Sequence, residues 1–568
     1  METPPKPNLP ERAWLPFAWI IAASALAHLW CLGSVFFLDD GMSILKNEFI
    51  QSGQFWKAGP QAWTALVYIA ESRIFGMSSP GFHAVNWLIH TSAACALFAL
   101  ARDFLGDRER WGVALFGALL FAVHPLGSEI PNYARTQDLA WATLFSLLAA
   151  WTFLRFLKKG GWTKLPACLL FIAGAALSKG PGVFHALMMT AAVGLASLTP
   201  QHHAFIRRRA WLLGGAAVLV IAAIWIFDAL ATFRGGMSKW SDPRIVGHAY
   251  TISRVFWEFV WRSVIPVSLS ADHHIAETMI PPGAKFWQIP DTGAMWAAAG
   301  FLATAAFSVF LAFRKSTRIV GVCLFLYVAS ILFRVLFLVP EFMPEYRIYP
   351  GLPWFCLGAA VVLNAGLRKL TTIPPRIPAV VLLSVFILLS ARRSFVWHSL
   401  DRLTADILQQ YPTQARAIWE LNDHDIDAKN WQAVIDRQNG MWPEVKRRFL
   451  AENQRLAPAR ELPTGHFALA DVACAGDYAI AIAAKENPAA GLREMNRLEI
   501  YMHRLGLDPL AHAVHWSYFF YDKALILEMA GNDQAALELL QKEGLPDWGK
   551  FALKRIQKKL TDKAAGSR

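Results

Sequence analysis

An all-α, polytopic membrane protein with a separate helical C-terminal domain is the fold class that this sequence predicts, and three observations predict it. Of its 568 residues, 55% are apolar and 17% charged, whereas soluble domains carry about a quarter charged residues. Apolar stretches of roughly 20 residues, the helix length that crosses ~30 Å of hydrocarbon, recur along the first 393 positions. Charge is also segregated. Residues 398–568 hold 22 Lys/Arg and 23 Asp/Glu, so that of 55 basic and 42 acidic residues in all, the first 397 keep 33 and 19. The basic excess therefore lies beside the apolar runs and not in a basic tail, which argues against a nucleic-acid partner and against disorder.

Eleven spans are expected, over 14–38, 82–101, 111–127, 138–157, 165–178, 181–200, 210–230, 294–313, 319–339, 348–367 and 377–393. The pair flanking Ser178-Lys179-Gly180-Pro181-Gly182 can also be one long element broken at the Gly/Pro bend. Residues 17–38 read as a retained signal anchor, since no small-residue cleavage site follows the first apolar run. Short basic connections at Arg102–Arg110, Lys158–Lys164, His202–Arg209, Arg314–Arg318 and Arg368–Arg376 alternate with the others. Basic loops stay on the cytoplasmic side, so the N-terminus is expected inside and residues 398–568 outside, in a periplasm or an equivalent exterior space. The expected domains are thus 1–397 in the membrane and 398–568 beyond it.

Two outer segments carry an amphipathic pattern. In 252–268, Arg254, Glu258 and Arg262 repeat every four residues among Phe256, Trp257, Phe259, Val260 and Trp261. That spacing predicts a helix lying in the membrane interface, with its charges on one face and its aromatics on another. Residues 54–75, with Trp56, Trp63, Tyr68, Glu71 and Arg73, repeat the theme, and the 24 tryptophans suit interfacial belts. The tail alternates Ala/Leu-rich helical periods with breaks at Pro443, Pro458, Pro463, Pro488, Pro509 and Pro546. Its segments Ala475-Gly476-Asp477-Tyr478 and Gly531-Asn532-Asp533 look like degenerate tetratricopeptide units, with Gly476 paired to Gly531 at an irregular spacing.

Five of the six cysteines lie in apolar runs, and no CxxC pair or disulfide framework can be built from them. Neither a P-loop nor a strand-placed GxGxxG occurs, so a nucleotide cofactor has no support. Ionisable groups at the outer ends of apolar elements are costly and are the functional candidates. Asp39-Asp40 follows the first span, where two carboxylates can hold a proton acceptor and a divalent cation or can cap the next helix. His124-Pro125-Leu126-Gly127-Ser128-Glu129 comes next, with Pro125 expected to end or kink the third span. Arg135 and Asp138 are spaced for a local salt bridge, while Glu129 has no evident local partner. Lys179 either snorkels outward or meets an anionic ligand. In Glu345-Tyr346-Arg347-Ile348-Tyr349-Pro350, Arg347 can grip a phosphate, with Glu345 orienting it and Tyr349 donating a hydroxyl. Arg334 is a further cation. Asp272-His273-His274 close the series; adjacent histidines point apart, so a structural zinc is not expected.

The order of these motifs, including Phe82-His83-Ala84-Val85-Asn86-Trp87-Leu88-Ile89-His90, resembles the transmembrane and tetratricopeptide-repeat glycosyltransferases and their bacterial relatives. More broadly it resembles the GT-C superfamily, with its protein O-mannosyltransferases, aminoarabinose transferases and pilin glycosyltransferases. The resemblance covers about 390 residues. One departure is Lys179-Gly180, where relatives commonly have Lys-Glu.

The resemblance implies an inverting transfer of a sugar from a polyprenyl-phosphate (undecaprenyl-type) donor to the hydroxyl of a protein or glycolipid, on the outer side of a bacterial inner membrane. It makes Asp40 the base, Asp39 and Glu129 its acidic partners, and Lys179, Arg347, Arg334 and Tyr349 the donor-phosphate site. His124, Arg135, Asp138, Glu345, Asp272, His273 and His274 are then supporting residues. A divalent cation (Mg or Mn) on Asp40 and Glu129 stays open. Membrane lipids and the lipid donor are the expected partners. Rival readings are a secondary transporter or lipid translocase, disfavoured by the lack of two similar halves, a glycan polymerase or ligase, and a non-catalytic assembly scaffold.

Overall fold

The computed structural model describes residues 14–106, 110–161, 163–198, 244–273, 275, 278, 291–336, 342–370, 374, 376–411, 414–439, 466–504, 513–541 and 553–561. Among these the regular structure is helical, with no strand. The chain divides into two compact units, one of residues 1–271, 275–280 and 284–399, the other of 272–274, 281–283 and 400–568.

The first unit contains α1 (Leu15–His28), α2 (Ala62–Phe75), α3 (Ser79–Leu105), α4 (Trp111–Ala122), α5 (Gln137–Lys159), α6 (Lys164–Ser178), α7 (Gly182–Ala196), α8 (Arg244–Val264), α9 (Thr292–Phe313), α10 (Arg318–Leu336), α11 (Leu352–Leu370) and α12 (Arg376–Val396). Among the described residues, five segments are long and apolar enough to cross a membrane: Leu15–Gly33, Ser79–Leu105, Ala134–Lys159, Thr292–Phe313 and Arg376–Val396. A sixth is the pair Trp111–Ala122 and Pro125–Asn132, bent by 53°. Pro125 explains the bend, because its ring and missing N–H stop the α4 ladder at that point. Shorter apolar helices stand at four further expected positions, and 210–230 lies outside the described residues.

α5 forms the centre, packing against α3, α6 and α7, while α4 packs against α11. The α4–α11 contact is close because Gly117 has no side chain: a Cβ there would lie 3.1 Å from the Leu357 Cα. α6 and α7 are two separate 15-residue helices, so the chain reverses at 179–181 instead of running on as one element.

Over 252–264 the helix is amphipathic as expected, but its aromatics are not all on one face. Phe256 and Phe259 are fully buried, and the Phe256 ring packs on Phe301 and Tyr327, at 5.0 and 6.1 Å between centroids. Trp257 and Trp261 are exposed on the same side as Glu258, whereas Arg262 turns inward and pairs with Glu258. Packing against α9 and α10 thus divides the aromatics between core and surface, and no face is purely charged. Residues 55–61 form a 3-10 turn ahead of α2, whose Trp63 packs on Trp141 and Phe145, each at 5.5 Å.

The second unit contains α13 (Leu400–Gln410), α14 (Ala415–Asp427), α15 (His466–Lys485), α16 (Pro488–Arg504), α17 (Ala513–Met529) and α18 (Asp533–Leu540). Pro488 stands at the first position of α16, where its missing N–H costs nothing. The expected pairing of Gly476 with Gly531 fails. Gly476 sits inside α15 with Asp522 packed on its Cα, whereas Gly531, at φ 75°, makes the left-handed turn between α17 and α18. Pro443, Pro458, Pro463, Pro509 and Pro546 lie outside the described residues.

Candidate active site

The site grows from the segment 122–138, which is almost wholly buried between α4 and α5. A polar stripe on α3 fixes it. His83 Nδ1 is 3.0 Å from the Pro131 carbonyl, and Asn86 Nδ2 donates to the carbonyls of Ile130 and Tyr133 at 2.8 and 3.0 Å. His90 Nε2 donates to the Ala122 carbonyl at 3.2 Å, which leaves Nδ1 to accept from the Tyr349 hydroxyl at 2.9 Å. Spacings of three and four residues put these side chains on one face of the helix, which is the physical content of the stretch from Phe82 to His90. His124 closes the other end: its Nδ1 accepts from Leu126 N–H, and its Nε2 donates to the Ser263 carbonyl at 3.0 Å. Its role is therefore to fasten the bend to the end of α8.

The two aspartates part company. Leu38 adopts φ 47°, a left-handed turn, after which Asp39 is exposed and Asp40 fully buried. Asp40 Oδ2 accepts from Phe37 N–H at 3.0 Å and Oδ1 from Arg135 N–H at 2.7 Å. Burial pushes its carboxyl up to about 8, against the lowering effect of those two donors. Asp40, expected as an open base, is thus enclosed and held by two backbone donors. It serves instead as the acceptor that ties the first outer loop to the 135 turn. Asp39 is held from behind, its backbone N–H donating to the Tyr133 hydroxyl at 3.1 Å.

Arg135 and Asp138 form the expected salt bridge at 2.7 Å, and Lys179 joins it from the α6–α7 turn, also at 2.7 Å from Asp138 Oδ2. The turn is anchored by Thr64, whose hydroxyl donates to the Ser178 carbonyl at 3.0 Å. Tyr346 brings the fourth motif in: its ring centroid lies 5.9 Å from Lys179 Nζ and 4.9 Å from the Arg347 guanidinium carbon. The same ring meets Tyr133 edge-on at 6.1 Å, and Tyr133 stacks on Trp397 at 5.8 Å. Glu129 Oε2 accepts from Tyr346 N–H at 2.7 Å, so its partner lies 217 residues away and its role is to hold the 344–350 turn. Asp39, Arg135, Asp138, Lys179 and Arg347 are thereby joined through shared contacts.

The remaining candidates make contacts of their own. Tyr349 is 1% exposed, with its ring against Phe121 and its hydroxyl on His90, and cannot meet a donor phosphate. Glu345 Oε1 accepts from Ser270 N–H at 2.8 Å, which binds the turn to the 266–270 loop. Arg334 is buried in α10, where its carbonyl is 3.0 Å from His248 Nε2. Asp272 and His273 belong to the second unit: Asp272 accepts from Gln414 at 2.6 Å, and His273 Nδ1 is 2.9 Å from the Tyr411 hydroxyl. His274 lies outside the described residues.

A divalent cation on Asp40 and Glu129 does not fit these contacts, because backbone donors hold both carboxylates. Among the described residues, no group of three or more His, Cys, Asp or Glu side chains converges on a point. Tyr133 and Tyr346 are the residues that the motif reading missed. Tyr346 stands between Glu345 and Arg347 and Tyr133 between Glu129 and Arg135, but a tyrosine in such a stretch carries no signal of its own.

Residues 64–227 match the family described as dolichyl-phosphate-mannose-protein mannosyltransferase. A protein O-mannosyl-transferase of Caenorhabditis elegans is 27% identical over 149 residues, covering 23% of this chain and 21% of that protein. The protein O-mannosyl-transferases Tmtc1 and Tmtc2 of Drosophila melanogaster are each 29% identical, over 184 and 178 residues, covering 28% and 27% of this chain and 21% and 19% of theirs. The matched region thus spans about a fifth of the length of these curated relatives. No solved structure matches the chain. Together with the all-helical architecture, the similarity of residues 64–227 to protein mannosyltransferases is consistent with a membrane glycosyltransferase of the GT-C superfamily.

Proposed function

We propose that this protein transfers a single sugar, mannose by analogy with its relatives, from a polyprenyl-phosphate carrier to a hydroxyl of a protein acceptor, with inversion at the anomeric carbon. The observation that carries the reading is the chain of contacts from the exposed Asp39 through Tyr133 and Tyr346 to Lys179 and Arg347. It links the solvent-exposed Asp39 and two cations through one pair of aromatic rings.

Asp39 is the base. As the acceptor oxygen attacks the anomeric carbon, its proton passes to the Asp39 carboxylate. The bond from the anomeric carbon to the phosphate oxygen breaks on the opposite face, and the departing polyprenyl phosphate takes the electron pair. Its charge grows as that bond breaks, and Lys179 and Arg347 are placed to stabilise it. Asp138 keeps Lys179 and Arg135 in place. The site faces the outer side of a bacterial inner membrane, with the N-terminus in the cytoplasm and residues 398–568 in the periplasm.

The test is turnover of a polyprenyl-phosphate mannose by purified protein with a hydroxyl-bearing acceptor peptide. Asp39→Asn is expected to lower it by roughly 100-fold or more, the usual scale for a general base. Unchanged turnover in that variant would remove Asp39 from the chemistry.

A further inference from the structure

Behind the site lies a polar group that none of these roles uses. Glu71 of α2 is 3% exposed and reaches Gln137 at the start of α5. Gln137 Nε2 donates to Glu71 Oε1 at 2.7 Å and to Asn86 Oδ1 at 3.0 Å. Asn86 in turn holds the carbonyls of Ile130 and Tyr133. Two acceptor atoms are left over in this pair. Glu71 Oε2 and Gln137 Oε1 are both buried and have no hydrogen-bond partner among the described residues. Two buried lone-pair atoms in one carboxyl–amide pair form a stable arrangement once a proton lies between them, and a buried acceptor left unmet costs about 1–3 kcal/mol.

We propose that Glu71 is a neutral carboxylic acid that donates its proton to Gln137 Oε1 while accepting from Gln137 Nε2, and that this reciprocal pair positions the Tyr133–Arg135 turn through Asn86. Burial supports it, pushing the Glu71 carboxyl up to about 8 with only the Gln137 hydrogen bond pulling it down. The charged and titratable groups around the pair are Tyr68 on the same helix and, about the Tyr68 hydroxyl, Asp40, Arg135 and Asp138. Arg135 lies in that set, but it spends its guanidinium on Asp138 at 2.7 Å. The turn that Asn86 holds carries the Tyr133 hydroxyl behind Asp39 and the Arg135 N–H on Asp40. Glu71 is therefore a positioning residue, and this functional half rests on the transferase reading above.

The decisive variant is Glu71→Gln, because an amide can donate from one end and accept at the other as the neutral acid does. Infrared spectra of the parent minus Glu71→Gln at neutral pH are expected to keep a positive protonated-carboxyl stretching band after the bands common to both, such as that of Asp40, cancel. Its absence from the difference would overturn the proposal without touching the transferase reading. Turnover of Glu71→Gln is expected to stay within about twofold of the parent, whereas Glu71→Ala falls roughly tenfold or more through a displaced turn. Equal loss in both variants would mean that the charge, and not the pair, is needed, and would sink the positioning role.

Discussion

Lys179 and Arg135 meet on the same oxygen of Asp138, each at 2.7 Å, although they come from different turns of the chain. A fully buried carboxylate shared by two cations is a joint, and its removal leaves both charges without their counter-ion. Asp138→Ala is expected to destabilise the membrane unit by about 3–5 kcal/mol, read as a lowered unfolding temperature in detergent. Arg347→Ala is expected to leave that temperature within a few degrees and to weaken binding of the lipid phosphate donor about tenfold, the scale of one charge-assisted contact. Equal donor affinity in variant and parent would take Arg347 out of the phosphate site.

The adjacent aspartates separate chemistry from folding. Asp39→Asn should remove turnover while leaving thermal stability unchanged, since its side chain is exposed. Asp40→Asn sets an amide donor against one of two backbone donors, Phe37 N–H or Arg135 N–H. A stability loss of about 1–3 kcal/mol is expected, and the reverse pattern would restore Asp40 as the base.

Stability should fall as the medium becomes more alkaline. Burial raises the Asp40 and Glu71 carboxyls to about 8 each in the folded protein, whereas unfolded carboxylates titrate near about 4. The folded state keeps protons that the unfolded chain releases, so this contribution is full below about pH 4 and is lost as pH rises through about 8. Buried His124, pushed down to about 4, works in the opposite direction only up to about pH 6.5. Melting curves between about pH 7 and 8 should therefore shift downward with pH, and Glu71→Gln should flatten part of that slope. A melting temperature that climbs across the interval would contradict both assignments.

Asn86→Leu tests the α3 staple. It leaves the Ile130 and Tyr133 carbonyls and the Gln137 amide short of a partner in a dry interior. A cost of about 1–3 kcal/mol is expected, with turnover falling further than stability because Tyr133 backs Asp39. Retained activity at full stability would show that the turn is fixed by packing alone.

Much of the architecture is legible in the residues, because spans announce themselves by uninterrupted apolar length and Pro125 marks its own bend. The Arg135–Asp138 bridge is legible too, being a matter of helical spacing. Which aspartate is buried is not legible: it depends on Leu38 entering a left-handed turn that a leucine side chain disfavours and that no local pattern announces. Lys179 finding Asp138, or Glu129 finding Tyr346, rests on packing between distant segments. Helical periodicity likewise cannot separate the buried Phe256 from the exposed Trp257, because both positions read as apolar.

The α6–α7 hairpin has a last consequence. Each arm has 15 residues, a rise of about 22 Å, which is short of the ~30 Å of hydrocarbon around it. Neither arm can cross that thickness alone as helix, so the reversal that carries Lys179 comes before a full span is complete, and a largely buried cation sits at the tip of a half-length hairpin.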